Sequence, residues 1–427
     1  MLMDVRESRL ENGIRVVTSS IPRVESVALG IWIGAGSRHE GHRLAGVSHF
    51  IEHLLFKGTR RRTARDISCA IEGRGGYINA FTQEECTCYY ARVACEHLAQ
   101  ALDVLADMYA RPLFAAADIV KERGVIVDEI KMYRDQPQQV VQELMTDALW
   151  QEHPLGRPVV GTPETLAGIT RAALARYKRR MYVPGNTVFA FAGSLDHAAC
   201  IRAVRRLAGR WRGRRAPAWA PVGRSVAQAP LVLRGKEIEQ SHLALGIRIF
   251  GRHDRRRYAL RLLNAVLGEN MSSRLFQIVR ERHGLAYSIQ SSFHLFAESG
   301  ALVVSAGLDR QRTTRALELI VRELARLKEQ PPGARELQRA KDYVLGQLRL
   351  GLESTSNQMM WIGDNLLAYG RFIPPETAIR QVERVTAGEV RALAGEILRP
   401  DRVSLAVLAP DIAEKDAPGV RRLIGAL

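Results

Sequence analysis

At 427 residues the chain is long enough for two or more domains with substantial cores, and 46% hydrophobic with 25% charged residues excludes a disordered or fibrous class. The 62 lysines and arginines outnumber the 45 aspartates and glutamates, for a formal net charge of +17. The basic residues are mostly arginines, scattered apart from local clusters such as "RRRTAR" and "RHDRRR", and no DNA- or RNA-binding signature accompanies them, so a solvated basic surface is expected and a nucleic-acid partner is not.

The N-terminal stretch "MLMDVRESRLENG" carries charges where a signal peptide needs an apolar block, so a cytoplasmic protein is expected. The next segment, "SVALGIWIGAG" from Ser26 to Gly36, is the nearest to a membrane span and falls far short of the ~18 apolar residues required. No membrane association is expected.

"GVSHFIEHLLFKGT", Gly46 to Thr59, sets polar residues into an oily segment. Read as a helix from Val47 to Phe56, it places Val47, Ile51, Leu54 and Leu55 on one apolar stripe. His49, Glu52 and His53 then fall together on a different face, because residues three and four apart are helical neighbours. Two imidazoles at i and i+4 can grip one metal ion through neutral nitrogens. Zinc lowers the pKa of coordinated water to ~7, and a carboxylate beside it can take the proton. His-x-x-Glu-His is the inverted form of the better-known zinc motif. The competing reading is a hydrogen-bonded polar cluster without metal.

"GGYINAFTQEECTCYY" follows, with Gly75 and Gly76 permitting a tight turn or close backbone approach before a strand-like run. Cys86 and Cys88 point to one face of that run and read as two small buried residues; the five cysteines are odd in number and form no CxxC pair, so a disulfide framework is not expected. "HLAQALDVLADMYARP" reads as a helix, and so does "DIVKERGVIVDEIKMYRDQP". A catalytic zinc site needs a third protein ligand. The second of these helices offers Glu122, Asp128 and Glu129; the two glutamates share a face and Asp128 lies about a third of a turn away, so spacing alone does not choose among the three.

Near mid-chain, "GRWRGRRAPAWAPVGR", Gly209 to Arg224, is rich in Gly, Pro and Arg and lacks hydrophobic periodicity, as a linker does. The halves on either side read as repeats. In each, a strand-like run ("TCYYARVA", "GALVVSAGL") precedes a helix ("HLAQALDVLADMYARP", "RTTRALELIVRELARL") and then a second helix, the later one containing "ELQRAKDYVLGQLRL". Strands and helices in this order suggest two α+β domains.

Together these stretches resemble the pitrilysin or insulinase-type zinc peptidases, the inverzincins that include the β-subunit of mitochondrial processing peptidase, and especially bacterial single-chain members of that branch. The resemblance covers nearly the whole chain. It runs through "LENGIRVVTSSIP", "GAGSRHE", "GVSHFIEHLLFKGT", "GGYINAFTQEECTCYYARV" and "KERGVIVDEIKMYRDQP" to "HPLGRPVVGTPETL", "YVPGNTVFAFAG" and "MSSRLFQIVRERHGLAYSIQSSF".

The resemblance implies an α+β fold of two homologous domains, each a mostly antiparallel sheet packed with helices, forming half of a clam-shell chamber. Residues 1–212 would be the zinc-bearing catalytic domain. Residues 213–427 would be a homologous domain without metal ligands that closes the chamber. The family's third ligand is a glutamate at the distance that separates Glu129 from His53. By resemblance, then, one Zn2+ per chain is held by His49, His53 and Glu129, with Glu52 as general base and Glu122 orienting a ligand from behind. An extended peptide would pair with an exposed sheet edge at Asn79 and Ala80, with Phe81 alongside. Arg280 and Tyr287 would complete the site, the guanidinium holding a substrate carbonyl and the phenol donating to the developing oxyanion.

The second half carries Leu260, Leu263 and Asn264 where the first has His49, Glu52 and His53, and Gln347 opposite Glu129, so it supplies neither metal nor base. Four such domains enclose the chamber in long-chain relatives, so a homodimer, or a heterodimer with an inactive paralogue, is expected. Arg280 and Tyr287 would act within the chain or on the partner's site. The expected function is zinc-dependent endopeptidase cleavage of peptides or unfolded segments. The alternative is a non-catalytic structural or chaperone-like subunit, because the family includes members that have lost their ligands.

Overall fold

The structure, a computed structural model, describes residues 3–212, 218–223, 231–410, 412 and 416–427. Of the linker expected over Gly209–Arg224, residues 213–217 and Arg224 lie outside that set, and the expected domain boundary after Arg212 falls there. Two compact units divide the chain. The first comprises Met1–Ile130, Arg157–Ala220 and Arg349–Glu376; the second comprises Lys131–Gly156, Pro221–Leu348 and Thr377–Leu427.

The first unit is built on strands β1 (Asp4–Arg9), β2 (Arg15–Ser20), β3 (Ser26–Ile33), β4 (Tyr77–Thr82), β5 (Thr87–Ala94) and β6 (Thr187–Gly193). The second is built on β7 (Leu231–Gly235), β8 (Ser241–Phe250), β9 (Ala286–Leu295), β10 (Ser299–Leu308) and β11 (Val403–Ala409). The sheets run β1-β2-β6-β3-β5-β4 and β7-β11-β8-β10-β9. Each contains a single parallel pairing, β2 with β6 and β7 with β11. With β1 set aside, both follow one strand order, so the repeat read from the sequence is a repeat of topology. The expected α+β class, two domains of mostly antiparallel sheet packed with helices, is what the structure has.

Side-chain size decides what covers each face. Along β3, Val27, Leu29, Ile31 and Ile33 point to one side and join the core beneath α1 (Val47–Leu55), α2 (Ala64–Ile71), α3 (Leu98–Ala110) and α4 (Ala116–Arg134). Ala28 and Trp32 point to the other side, with Cys88, Val188, Ala190 and Ala192 of neighbouring strands. The helix Thr355–Tyr369 lies on this second face through Met359, Ile362 and Leu366. The second sheet repeats the division: Leu243, Leu245 and Ile247 face a helical core, while Ala244, Ala301 and Ala406 face α5 (Pro137–Trp150). Each sheet therefore takes one covering helix from the other half of the sequence. Cys86 and Cys88 are buried in the first of these small-residue layers, as expected of them, and none of the five cysteines is in a disulfide.

Glycines let these helices come close. A Cβ on Gly363 would stand 2.2 Å from Trp32 Nε1, and one on Gly246 would stand 2.3 Å from Met145 Sδ. Gly363→Ala should therefore force the helix Thr355–Tyr369 off the sheet or Trp32 off its rotamer, costing about 1–3 kcal/mol. A fall in the thermal unfolding midpoint is the expected reading; an unchanged midpoint would mean the layer yields without cost. Among the described residues no helix is long and apolar enough to cross a membrane.

Candidate active site

The site starts with how α1 begins. Val47, Ile51, Leu54 and Leu55 are all buried and fix the helix against the sheet, as its stripe predicts. Its N-cap is Gly46, at φ 93°, with no side chain to cap the free amides. A Cβ there would stand 2.7 Å from Val160 O, so the backbone conformation and the close approach both call for glycine. The missing cap comes from Glu40, whose carboxylate accepts the Gly46 and Ser48 amide N–H groups, each at 2.7 Å. Burial pushes the Glu40 carboxyl up to about 7, against the pull of those amides and of Arg157. Ser48 Oγ is in turn 2.8 Å from Tyr177 Oη.

One turn later the polar face of α1 meets α4. His49 Nε2 and His53 Nε2 lie 3.8 and 3.7 Å from the same atom, Glu129 Oε2. Both separations are too long for hydrogen bonds. Ligands ~2.1 Å from a common zinc ion at tetrahedral angles stand about 3.4 Å apart, close to what is seen. Among the described residues this is the one group of three histidine, cysteine or acidic side chains able to hold a metal ion, with ligand atoms all within 4.8 Å of one another. Two imidazole nitrogens and a carboxylate oxygen are a donor set that zinc accepts. Burial, and then the neighbouring His53, push His49 down to about 3, so it stays neutral and keeps a lone pair for a cation.

Of the three acidic candidates on α4, Glu129 faces the histidines and Asp128 faces solvent. Glu122 is buried, with Oε2 3.3 Å from His53 Nδ1 and Oε1 2.9 Å from Lys57 Nζ. A carboxylate there accepts the Nδ1 proton, which leaves the His53 Nε2 lone pair turned toward Glu129.

Glu52 lies on the same face of α1. Its Oε2 accepts a hydrogen bond from Thr82 Oγ1 at 2.6 Å. Burial raises its pKa, Thr82 and His53 oppose the rise, and Glu129 adds to it.

Among the described residues β4 is an edge strand, hydrogen-bonded to β5 alone. Asn79 is exposed; its Nδ2 donates to Tyr77 Oη at 2.6 Å, and its Oδ1 accepts the Ala80 amide at 2.8 Å. Ala80 is half-buried on the side of the main core. Phe81 points the other way and packs edge-on against Trp32, with ring centroids 5.5 Å apart. Alternation along the strand thus puts Phe81 on the face opposite Ala80 and on the same face as Asn79.

Arg280 and Tyr287 belong to the second unit. Arg280 is exposed on a π-helical turn, Phe276–Arg282, with its guanidinium over the Phe276 ring. Tyr287 is 77% exposed on edge strand β9, the counterpart of β4. Leu260, Leu263 and Asn264 are buried in the second unit's helix Arg257–Leu267, where Asn264 Nδ2 donates to Glu269. Glu40, Lys57 and Thr82 were not predicted. Thr82 and Lys57 each act through one contact to a residue far away in sequence, and Glu40 acts on backbone amides six and eight residues on, so residue spacing carries no trace of any of them.

The sequence profile described as "Insulinase (Peptidase family M16)" matches residues 15–163, and "Peptidase M16 inactive domain" matches residues 168–344. The chain is 40% identical to an uncharacterized zinc protease of Mycobacterium leprae over 98% of its own length and 95% of the relative's. It is 38% identical to an uncharacterized zinc protease of Bacillus subtilis, over 95% and 98%. Among solved structures, a protease from Helicobacter pylori superposes with a TM-score of 0.89 at 20% identity, covering 96% of this chain and 100% of that one.

Proposed function

The chain belongs to the insulinase family of peptidases, family M16, and on that premise we propose that it is a zinc-dependent endopeptidase acting on peptides or unfolded segments. The observation that carries the reading is the convergence of His49 Nε2, His53 Nε2 and Glu129 Oε2 from two helices, with Glu52 on the same helical face. His49, His53 and Glu129 would hold the ion and Glu122 would orient His53. Zinc bound there supplies Lewis acidity, which makes water acidic near neutral pH and polarises a carbonyl.

The chain's own residues do the rest. Asn79 and Ala80, on the free edge of β4, hold the substrate backbone as an added strand, which selects extended polypeptide. Glu52 takes a proton from water as the oxygen attacks the carbonyl carbon, and returns it to the amide nitrogen as the carbon–nitrogen bond breaks. Arg280 and Tyr287 bind the substrate carbonyl and its developing negative charge. A second copy of the chain is the proposed partner, in the cytoplasm. A purely structural role is disfavoured because the first unit keeps the ligand set and Glu52, while the second has Leu260, Leu263, Asn264 and Gln347 at the matching positions and so supplies neither metal ligands nor a base.

Metal removal tests the reading. A mixed pool of unstructured peptides should yield a defined set of internal cleavages by mass spectrometry. A chelator should abolish them, and zinc should restore them at one ion per chain. Cleavage that persists in metal-free protein would overturn the assignment.

A further inference from the structure

The mechanism above leaves open what aims Glu52. Its helix is fixed by the apolar stripe, but the carboxylate sits at the end of a flexible side chain and must present one oxygen to water. Thr82 Oγ1 donates to Glu52 Oε2 at 2.6 Å. Thr82 also lies 3.4 Å from Thr87 Oγ1, its cross-strand partner on β5. Thr87, however, gives its own proton to Ala35 O at 2.8 Å, so Glu52 is the acceptor for the Thr82 proton. Thr87 is buried, as are Tyr89 and Tyr182, whose hydroxyls lie 3.0 Å apart. Thr82 is therefore seated against a buried cluster of hydroxyls. It also ends β4, the strand that carries Asn79 and Ala80.

We propose that Thr82 is a positioning residue for the reaction: its hydroxyl pins Oε2 of Glu52, which fixes the carboxylate and leaves Oε1 to take and return the proton. The inference rests on the reading of the chain as a peptidase with Glu52 as its base. It adds that base and substrate-holding edge are tied together by one hydrogen bond.

Thr82→Val removes the hydroxyl and keeps the branched shape; Thr82→Ser keeps the hydroxyl. On a peptide taken from the wild-type product map, Thr82→Val should lower kcat roughly 10- to 100-fold, the worth of a hydrogen bond to a charged group. KM, zinc content and thermal midpoint should not change, and Thr82→Ser should recover most of kcat. In a Glu52→Gln background, adding Thr82→Val should leave the peptide's Kd, read by fluorescence anisotropy, unaltered. Wild-type kcat in Thr82→Val, or equal impairment in Thr82→Ser, would sink the assignment, as would a weakened peptide Kd, which marks a substrate contact instead. If Thr82→Val does not fold, Thr82→Ser and Thr82→Ala decide on the same readouts. Should Glu52→Gln be inactive while Thr82→Val is normal, the peptidase reading stands and only this inference fails. Should wild type show no metal-dependent cleavage, the premise itself fails.

Discussion

Glu52→Gln should reduce turnover by roughly 10²–10⁴-fold, the usual worth of a positioned general base, while zinc remains bound at one ion per chain. The substitution keeps shape and length. The amide oxygen can still accept the Thr82 hydroxyl that now sits 2.6 Å from Oε2, so the local geometry has no reason to change. What is lost is the capacity to accept a proton. Stability should hold or rise, because burial already disfavours the charged form of Glu52. Metal content by mass spectrometry, thermal unfolding and peptide cleavage, all on one preparation, separate these effects. Cleavage at the wild-type rate with zinc in place would refute Glu52 as the base.

Glu40→Ala should destabilise the first unit by about 3 kcal/mol and weaken zinc binding as well. Gly46 N–H and Ser48 N–H both donate to Glu40, which is 4% exposed. Deleting the carboxylate strands two buried donors, at about 1–3 kcal/mol each before relaxation. It also loosens the first turn of α1, which carries His49. Denaturant titration and competition with a chelator of known affinity would read the two effects.

The pH dependence has a definite sign. Glu40 holds its proton up to about 7 in the fold, against an ordinary value of 4.5 for a glutamate. Between those values the folded state binds a proton that the unfolded state has shed, so this group's contribution to stability falls as pH rises through the window, by at most about 1.4 kcal/mol per pH unit. Below the window both states are protonated; above it both are ionised. Glu40→Gln should lack the slope, and an identical slope in that variant would place the titration elsewhere.

The parts legible in the sequence were those set by local periodicity. The stripe Val47, Ile51, Leu54 and Leu55 gave α1 its orientation, and i, i+4 spacing put His49 and His53 side by side on its polar face. The strand and helix order gave the repeat. The third carboxylate was not legible from spacing, because two helices meet at an angle that only packing determines; the fold turns Glu129 to the histidines and Asp128 to water. Glu40 and Thr82 were invisible for the same reason: each meets α1 from a loop or strand that other contacts bring there. Nor does the sequence show that the sheets exchange helices, since nothing in the residues of Thr355–Tyr369 marks which sheet they cover.

That exchange bears on how the protein is made. The last strand of the first sheet ends at Gly193, yet the helix that covers its small-residue face ends at Tyr369. At ~5–20 residues per second a ribosome needs roughly ten to thirty seconds to bridge that interval. Throughout it, Ala28, Trp32, Ala190 and Ala192 have no lid, and the nascent chain carries an uncovered apolar face. A fragment cut after Arg212 would lack the helix Thr355–Tyr369 and leave that face bare, so the first sheet is complete only once the chain has been made past Tyr369.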